Sequence, residues 1–436
     1  MRKSVKQWLA ELLERNPNRI EPGVERTRRL VQALLDGPPS ACVISVAGTN
    51  GKGSSVAMVS AICRAAGYRV GTYTSPHFID VRERFLIDGK QVDEQALVQA
   101  FEHIDAHPDS GALTYFEWLT LTAFLLFEAA GADVWVLEIG LGGRLDAVNA
   151  LDADLALITS IGLDHQDWLG DGRELIGREK AGILREGQAA VYADLDPVAS
   201  VGEVARAVGA ELWQLGQEFD LRDRGAGAPA DRCVLLRGDI ARSLRIPALV
   251  GQHQCRNAAG VVALLQHPHS PLRVPDAAVD EGLEQVQLAG RLERRIDRGT
   301  IVWFDVAHNA EAAAVLAEVL AATPAPGRRL AVFSALADKP IETMVRPLVS
   351  SIDAWWIAPL QEPRAAGMDR IESALVESGA CSVTREADLF AAYNAAKAEA
   401  KEGDELIVFG SFHLVGPLRA RLSEEGYPAT RSESRA

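Results

Sequence analysis

A glycine-rich segment carries the clearest chemistry in this sequence. Ala47-Gly48-Thr49-Asn50-Gly51-Lys52-Gly53-Ser54-Ser55 follows the apolar run 42–47 and precedes a helical stretch. Glycines let backbone N–H groups approach phosphate oxygens, the start of a helix adds partial positive charge, and Lys52 adds a full charge. The segment departs from the usual GxxxxGK[ST] loop, since Val46 stands at the first glycine and Gly53 separates Lys52 from Ser54. We predict that Gly51, Lys52, Gly53 and Ser54 bind phosphates; the alternative is a tight turn with a solvated lysine.

Glu138 is a second candidate for chemistry, because it lies near the C-terminal end of the apolar run 133–139. Gly140, Gly142 and Gly143 follow it and would keep side chains out of a crevice. Ligands of open α/β sheets bind at the C-terminal ends of strands, and Mg²⁺ prefers oxygen ligands. Glu138 is therefore a candidate metal ligand; the alternative is a solvated residue at the edge of the sheet.

Both candidates depend on a regular alternation of strands and helices. A strand is predicted at 68–74, and three further runs are mostly apolar: 42–47, 133–139 and 155–160. Such runs predict strands that are buried on both faces, as in a parallel sheet covered by helices. One helix is predicted over 54–66, directly after the glycine-rich segment, and another over 117–130.

The pattern changes twice further along the chain. Residues 216–247 contain short alternating runs and turn residues, which predict antiparallel strands or an insertion. Near Gly290 a second alternation begins, with strands predicted at 300–304, 329–333, 353–358 and 405–409. We predict an α/β protein of two domains. Residues 1–288 form an N-terminal P-loop-type, doubly wound, mostly parallel sheet domain, and residues 289–436 form a smaller C-terminal Rossmann-like α/β domain.

The composition limits the partners. The 436 residues include 45 Lys and Arg and 60 Asp and Glu, which gives a formal net charge of −15. So acidic a protein would repel phosphate backbones and anionic lipids, so neither nucleic acid nor a membrane is expected as a partner. The five cysteines form no CxxC pair, and the sequence has no signal-peptide run or transmembrane-length apolar stretch. We predict a cytoplasmic, monomeric enzyme with small-molecule substrates.

Several motifs occur together, in a fixed order, along the chain. They are VAGTNGKGS, TSPH at 74–77, LEIGLGGRLDAVN at 137–149, SIGLDHQDWLG at 160–170, REKAGI at 178–183, GQHQCRNAAG, LAGRLERR, DVAHNA and FGSFHLVG. This set resembles the folylpolyglutamate synthase/dihydrofolate synthase family, which belongs to the wider group of Mur-type ATP-dependent amide ligases. The resemblance extends from Ile20 to about Gly416 and implies the same two-domain fold.

The resemblance implies a metal centre and a modified lysine. Ser75, Glu138 and His165 would bind one or two Mg²⁺ ions that accompany ATP. Taken alone, Ser75 could be a turn residue and His165 a core or capping residue, and imidazole is an uncommon ligand for Mg²⁺. Lys180 would carry a carbamate formed with CO₂, because a neutral, desolvated amine can take up CO₂ and become an anion that orients a metal. A solvated helical lysine is the alternative.

The resemblance also implies that ATP is held between the two domains. Asn257 would lie near the base, Arg291 on the phosphates and Asp305 on the nucleotide, and domain closure would assemble the site. Arginine suits phosphates because its guanidinium binds in a bidentate manner. His308 would lie near the transferred phosphoryl group, with its role open. A surface arginine, a capping asparagine at a helix start and a turn aspartate are the alternatives.

The acceptor site is the third set that the resemblance implies. Its proposed members are Glu21, Pro22, Gly23, Thr114, Tyr115, Phe116, Glu117, Leu145, Asp146 and Ala147. Aromatic rings can stack on a flat heterocycle, and a carboxylate can pair with its N–H groups. The alternative is a set of aromatic core residues beside a glutamate that the helix dipole favours. Glu21-Pro22-Gly23 departs from the family pattern Asp-Leu-Gly, and proline there fixes φ and removes a donor.

The predicted activity is that of an ATP-dependent carboxylate–amine ligase. It would add L-glutamate to dihydropteroate, giving dihydrofolate, and to reduced folates, through an acyl phosphate. Lys52, Lys180 and His308 are the predicted catalytic residues, with ATP and Mg²⁺ as cofactors. Three alternatives stay open: a monofunctional folylpolyglutamate synthase, a cell-wall Mur ligase, and a nucleotide-binding regulator without ligase chemistry.

Overall fold

The computed structural model describes residues 3–15, 23–222, 232–427 and 429, which form two compact units. The first unit contains the described residues within Met1–Pro247 and Gln254–Val286. The second contains those within Ala248–His253 and Gln287–Ala436. In the described part of the chain, no helix is both long enough and apolar enough to cross a bilayer.

The described strands of the first unit build an eight-stranded sheet. In chain order they are β1 (Cys42–Ala47), β2 (Val70–Tyr73), β3 (Phe85–Ile87), β4 (Lys90–Gln91), β5 (Val134–Glu138), β6 (Leu155–Ile158), β7 (Ala189–Tyr192) and β8 (Glu211–Gln214). Their order in the sheet is β4-β3-β2-β5-β1-β6-β7-β8. The pairs from β2 to β8 are parallel, and β3 and β4 pair antiparallel at one edge.

The central position of β1 decides where a ligand can bind. Strands β2 to β5 lie on one side of β1, and strands β6 to β8 lie on the other. The strand order therefore reverses at β1. In open α/β sheets, ligands bind at such a reversal, outside the C-terminal ends of the strands. The loops after β1, β2, β5 and β6 all start from this edge.

Helices cover both faces of this sheet. They are α1 (Val5–Arg15), α2 (Val24–Leu34), α3 (Lys52–Ala65), α4 (Glu94–Asp105), α5 (Tyr115–Ala129), α6 (Gln166–Leu169), α7 (Arg173–Ala181), α8 (Ala199–Val208), α9 (His253–Leu265) and α10 (Asp276–Gln285). Large side chains fill the space between helix and sheet; for example, Trp135 of β5 stacks on Phe124 of α5 with ring centroids 6.0 Å apart. A near-continuous apolar strand such as β5 needs this cover on both faces.

Along the chain, a small sheet follows the last strand of the large sheet and precedes α9. Its strands are β9 (Asp220–Arg222), β10 (Arg232–Arg237) and β11 (Ile240–Arg245), and β10 pairs antiparallel with both neighbours. The expectation of antiparallel strands within 216–247 is therefore confirmed for the residues that the structure describes in this segment.

The second unit has its own six-stranded sheet. Its strands are β12 (Glu293–Asp297), β13 (Thr300–Asp305), β14 (Arg329–Phe333), β15 (Ala354–Ile357), β16 (Val383–Arg385) and β17 (Glu405–Phe409), in the order β12-β13-β17-β14-β15-β16. Only β12 pairs antiparallel among these described strands. The helices of this unit are α11 (Ala310–Ala322), α12 (Ile341–Val345), α13 (Met368–Glu377), α14 (Leu389–Glu399) and α15 (Phe412–Glu424). The predicted fold class, a doubly wound mostly parallel domain and a smaller α/β domain, is confirmed.

Candidate active site

The glycine-rich segment forms the loop between β1 and α3. Gly48 has φ +151°, and a Cβ there would collide with Oγ1 of Thr159. Gly51 has φ +89° and caps α3, and a Cβ there would lie 2.8 Å from Oδ1 of Asn257. Side chains are excluded from both positions by backbone conformation and by space. Because α3 begins at Lys52 rather than at the predicted Ser54, the N–H groups of residues 52–54 lie in its first turn, where an anion is favoured.

Hydrogen bonds to the residues that follow β6 hold the loop between β1 and α3 in place. The N–H of Thr49 donates to the carbonyl oxygen of Ser160 at 2.6 Å, and the hydroxyl of Thr159 donates to the carbonyl oxygen of Asn50 at 2.6 Å. Such bonds fix the backbone before a ligand arrives, which lowers the entropic cost of binding.

Two lysine side chains meet on one atom of this loop. Nζ of Lys52 donates to the carbonyl oxygen of Gly48 at 3.0 Å, and Nζ of Lys180 donates to the same oxygen at 2.9 Å. Lys180 is only 5% exposed. Burial lowers the pKa of Lys180 to about 7, and the charge of Lys52 adds to this effect, while Asp164 and Asp146 oppose it. Near neutral pH a large share of Lys180 is therefore an uncharged amine.

The loop after β5 brings the metal candidates and α7 together. Glu138 is buried, and its Oε2 accepts a hydrogen bond from the N–H of Ser75 at 3.2 Å. At Gly143 a Cβ would lie 2.7 Å from the carbonyl oxygen of Glu179, so the loop can pass this close to α7 only without a side chain. This close packing places Lys180 of α7 beside the phosphate loop.

Ser75 and Glu138 suit a hard divalent cation. They offer a hydroxyl and a carboxylate, and Mg²⁺ takes oxygen ligands while it keeps waters and binds phosphates. Within the described residues, no three His, Cys, Asp or Glu side chains converge on one point, so the site would need oxygens from its substrate. His165 lies in the loop after β6 with φ +53°, its side chain is 41% exposed, and its Nε2 is 3.9 Å from the carboxylate of Asp164.

Asp146 stabilises the loop after β5 through hydrogen bonds to backbone N–H groups of that loop. Its Oδ2 accepts from the N–H of Leu141 at 2.8 Å, and its Oδ1 accepts from the N–H of Val148 at 2.9 Å. Burial raises the pKa of Asp146 to about 6, although these hydrogen bonds and the charge of Lys52 lower it. Its neighbours differ in exposure, since Leu145 is half-buried and Ala147 is buried.

The start of α5 is fixed by an ion pair that the sequence did not reveal. Nε of Arg26 donates to both carboxylate oxygens of Glu117 at 3.1 Å, and Nη2 donates to Oε1 at 2.8 Å. Oε2 of Glu117 also accepts from the N–H of Thr114 at 2.7 Å, which completes a capping box. These four bonds use the acceptor capacity of the carboxylate.

The aromatic candidates lie beside the metal candidates. Tyr115 and Phe116 are half-buried in the first turn of α5. A Cβ on Gly140 would lie 2.5 Å from the ring of Phe116, so the ring packs directly on the loop that follows Glu138. Gly23 precedes α2, and the predicted site residues Glu21 and Pro22 lie outside the described residues.

Asn257 is buried beside the phosphate loop but does not start a helix. Helix α9 begins at His253, so the expected position of Asn257 at a helix start is wrong, and the residue lies in the second turn. Its Nδ2 donates to Oε1 of Gln254 at 3.1 Å, and Nε2 of Gln254 donates to Oγ of Ser54 at 3.3 Å. Gln254 therefore links α9 to the phosphate loop, although no sequence pattern had singled it out.

The candidates of the second unit form one group after β13. Asp305 ends β13 and accepts from the N–H groups of Leu292 at 2.9 Å and Ala307 at 2.7 Å. Burial raises the pKa of Asp305, and the charge of Arg291 opposes this. Nδ1 of His308 lies 2.7 Å from the carbonyl oxygen of Val306 and must carry the proton, because a carbonyl can only accept.

Phe412 joins this group and had not been predicted. The guanidinium of Arg291 lies 5.5 Å from the centre of its ring, and the ring of His308 lies 6.2 Å away. The only sequence signal for Phe412 was its place in the motif FGSFHLVG.

Comparison with known proteins identifies the class. The family model for the Mur ligase middle domain matches residues 46–265, and the model for the Mur ligase glutamate ligase domain matches residues 290–412. The chain is therefore a Mur ligase by class.

Individual relatives narrow this class. The dihydrofolate synthase/folylpolyglutamate synthase of Escherichia coli K12 is 38% identical over 408 residues, which cover 94% of this chain and 93% of the relative. The structure of E. coli FolC in complex with DHPP and ADP has a TM-score of 0.89 at 37% identity and covers 97% of this chain and 99% of its own. A folylpolyglutamate synthase/dihydrofolate synthase with Mn, AMPPNP and L-glutamate bound has a TM-score of 0.86 at 37% identity, covering 97% of this chain and 98% of its own. The chain belongs to the dihydrofolate synthase/folylpolyglutamate synthase family, as its motifs predicted.

Proposed function

We propose that this protein is an ATP-dependent ligase that joins L-glutamate to a carboxylate of dihydropteroate, giving dihydrofolate, and of reduced folates. Solved relatives contain ADP with DHPP, and AMPPNP with L-glutamate and Mn. The observation in this chain that best supports the proposal is the meeting of Lys52 and Lys180 on the carbonyl oxygen of Gly48. The charge of Lys52 at a glycine-rich helix start suits a polyphosphate, and the largely uncharged amine of Lys180 lies beside it.

The nucleotide would use the loop between β1 and α3. Gly51, Gly53 and Ser54 would offer backbone N–H groups, and Lys52 would exchange its contact with Gly48 for the outer phosphates. The adjacent side chain of Asn257 would contact the nucleotide. Ser75 and Glu138 would hold Mg²⁺ with His165 as a further ligand, and the ion would neutralise charge on the phosphates.

Lys180 would carry a carbamate. The neutral amine attacks the carbon of CO₂, a C–N bond forms, and one proton leaves the nitrogen for solvent. Burial favours the neutral amine, and the neighbouring charge of Lys52 would stabilise the anion that results. The carbamate would then help to orient the metal, as a carboxylate does.

The reaction would proceed in two steps. A carboxylate oxygen of the acceptor attacks the γ-phosphorus of ATP, ADP leaves, and an acyl phosphate forms. The amino group of L-glutamate then attacks the acyl carbon, inorganic phosphate leaves, and the amide nitrogen loses a proton. Lys52 and Arg291 would stabilise the charge that develops in the first step, and Asp305 and His308 would lie near the nucleotide.

The acceptor would bind beside the start of α5. Tyr115 and Phe116 would contact its flat ring, with Gly23, Leu145, Asp146 and Ala147 nearby. Glu117 would not contact the acceptor itself, because Arg26 and Thr114 already bind its carboxylate oxygens. It would instead position the residues around it. This ion pair would hold the two aromatic residues against the loop after Glu138.

An acceptor assay separates this function from its alternatives. Purified protein is given MgATP and L-glutamate with dihydropteroate, with tetrahydrofolate, or with neither, and released phosphate is measured. A bifunctional enzyme releases phosphate with either acceptor, whereas a monofunctional folylpolyglutamate synthase is silent with dihydropteroate. Equal release without any acceptor would contradict the folate assignment, and no release at all would indicate a regulator.

A further inference from the structure

One buried arginine of the first unit lacks the partner that buried arginines usually have. Arg84 ends a short 3₁₀-helix, Val81–Arg84, and is only 7% exposed. Arg295 and Arg329, the other arginines that are buried among the described residues, pair with Glu293 at 2.7 Å and Glu405 at 3.5 Å. In the described ranges, Arg84 makes no ion pair with a carboxylate. A buried charge without an opposite charge is costly, so an anion is expected to compensate it.

Among the residues that the structure describes, the side chains in contact with Arg84 are a histidine and a tyrosine rather than a carboxylate. Its Nε donates to Nδ1 of His77 at 2.8 Å, and it also hydrogen-bonds the hydroxyl of Tyr73. The charge of Arg84 acts on two phenols, Tyr73 and Tyr115, and a phenol carries no negative charge near neutral pH. The carboxylate of Asp146 acts on Tyr73 from a distance and already accepts backbone hydrogen bonds.

Arg84 lies between the proposed metal ligands and the aromatic residues that would contact the acceptor. Its carbonyl oxygen accepts from the N–H of Thr74 at 3.1 Å and so closes the loop that carries Ser75, a proposed metal ligand. On its other side Tyr73 packs 6.2 Å from the ring of Phe116, which would contact the acceptor's ring. An acceptor with its ring at Phe116 would therefore have to place its acidic end between this aromatic surface and the metal ligands.

We propose that Arg84 binds the reacting carboxylate of the acceptor and holds it for attack on the γ-phosphorus. This inference rests on the proposed function. A guanidinium binds a carboxylate through two parallel hydrogen bonds, which fix orientation as well as position. Dihydropteroate carries its reacting carboxylate directly on the aminobenzoyl ring, and the inference is made for this acceptor. Fixed orientation is what converts an encounter of two anions into a productive complex.

The test measures preference for the charge rather than affinity alone. Pteroate and its carboxamide differ only at the reacting end, and calorimetry measures the dissociation constant of each for the full chain. Wild type should bind pteroate about 10- to 100-fold more tightly than the amide, as expected for a charge-assisted pair. Arg84→Gln should remove this preference while affinity for the amide stays unchanged, and Arg84→Lys should keep part of it. Arg69→Gln, at an exposed arginine of the same unit, should behave as wild type.

Two results would overturn the inference. One is a full preference in Arg84→Gln, and the other is an equal loss of both ligands, which would mean that Arg84 only supports the fold. If Arg84→Gln does not fold, Arg84→Lys reports the same ratio, and an unreduced ratio there contradicts the proposal. Phosphate release by wild type separates the two levels: with no release the proposed function fails, whereas normal release with an unchanged ratio refutes Arg84 alone.

Discussion

The phosphate loop and the start of α5 both bury charged side chains in the first unit, but they treat the charge differently. At the loop, the ammonium group of Lys52 and the largely uncharged amine of Lys180 meet on a carbonyl oxygen, which has only a partial negative charge. At α5, the carboxylate of Glu117 meets the guanidinium of Arg26 in a bidentate pair. The first arrangement places Lys52 where a phosphate can bind, whereas the carboxylate of Glu117 is already bound within the fold.

This difference separates residues for ligands from residues for structure. Where a fold itself balances a charge, the pair supports the position of its neighbours; where it does not, a ligand does so on binding. The rule assigns Lys52 to the nucleotide, Glu117 to the fold and Arg84 to the acceptor, while Lys180 would serve the metal through its carbamate. The predictions below test this division.

The largest effect is expected at Lys52. Lys52→Met should lower kcat/KM by about 10²- to 10³-fold, because it removes a full charge from the developing transition state. The half-buried side chain donates to the carbonyl oxygens of Gly48 and Thr49, and the melting temperature of the variant shows whether losing these bonds also affects the fold. Lys90→Met, at an exposed lysine on β4, is the matched control and should keep activity. A fully active Lys52→Met protein would mean that the loop binds no phosphate.

A smaller but more specific effect is expected at Lys180. Lys180→Gln should lower kcat/KM by about 10- to 100-fold, the usual result of losing a group that orients a metal. Wild type supplied with ¹³C-bicarbonate should show a carbamate signal in its NMR spectrum, and the variant should not.

The carbamate signal also has an expected pH dependence. Since burial lowers the pKa of Lys180 to about 7, the reactive amine is lost as the pH falls below that value, and the signal should decrease with it. A signal that persists unchanged at acidic pH, or an absence of the signal in an active enzyme, would exclude the modification.

On the other side of the comparison, changes at Glu117 should act on stability. Glu117→Ala should reduce the free energy of unfolding by about 3 kcal/mol, since it removes the carboxylate that binds Arg26 through two nitrogens. This is the low end of the usual cost, because the Arg26 side chain is 16% exposed. Glu128→Gln, at an exposed position of the same helix, should change the free energy of unfolding by less than about 0.5 kcal/mol in a denaturant titration. A Glu117→Ala protein of unchanged stability but without acceptor binding would move Glu117 into the ligand group.

The smallest effect concerns the pH dependence of stability at Asp146. Its folded-state pKa is raised to about 6, so the folded protein binds more protons than the unfolded chain between the ordinary carboxyl pKa and that value. This contribution to stability is present in acid and is lost as the pH rises to about 6. Asp146→Asn, which cannot titrate, should flatten that slope and cost about 1–2 kcal/mol, because one N–H donor of the loop loses its acceptor. Parallel unfolding curves of the two proteins against pH would contradict the raised pKa.

Local patterns predicted the parts of the fold that burial alone determines. The strands expected at 42–47, 329–333 and 405–409 coincide with β1, β14 and β17, because each is an apolar run ended by polar or turn residues. Helix ends were predicted less accurately, and α9 starts four residues before its expected position. The polar residues at its start, such as Gln254, did not indicate a buried helix, but they can be buried because the fold provides hydrogen-bond partners.

The parts of the site that escaped prediction depend on contacts between distant residues. Arg26 and Glu117 are 91 positions apart, and no spacing rule connects them. Lys180 could be singled out only through the family motif, because its lowered pKa comes from burial and from Lys52, not from its own helix. Arg84 likewise has no local signal, since its distinction is the absence of a carboxylate that two other buried arginines possess.

The two-step reaction requires that the acceptor's carboxylate is phosphorylated before glutamate attacks. The experiment supplies dihydropteroate whose carboxylate oxygens are ¹⁸O, together with MgATP and L-glutamate. Mass spectrometry then measures the mass of the released phosphate. An acyl phosphate intermediate requires that each phosphate released carries one ¹⁸O atom from the acceptor. Phosphate released at the same rate without ¹⁸O would show that ATP is hydrolysed by water and would contradict the account.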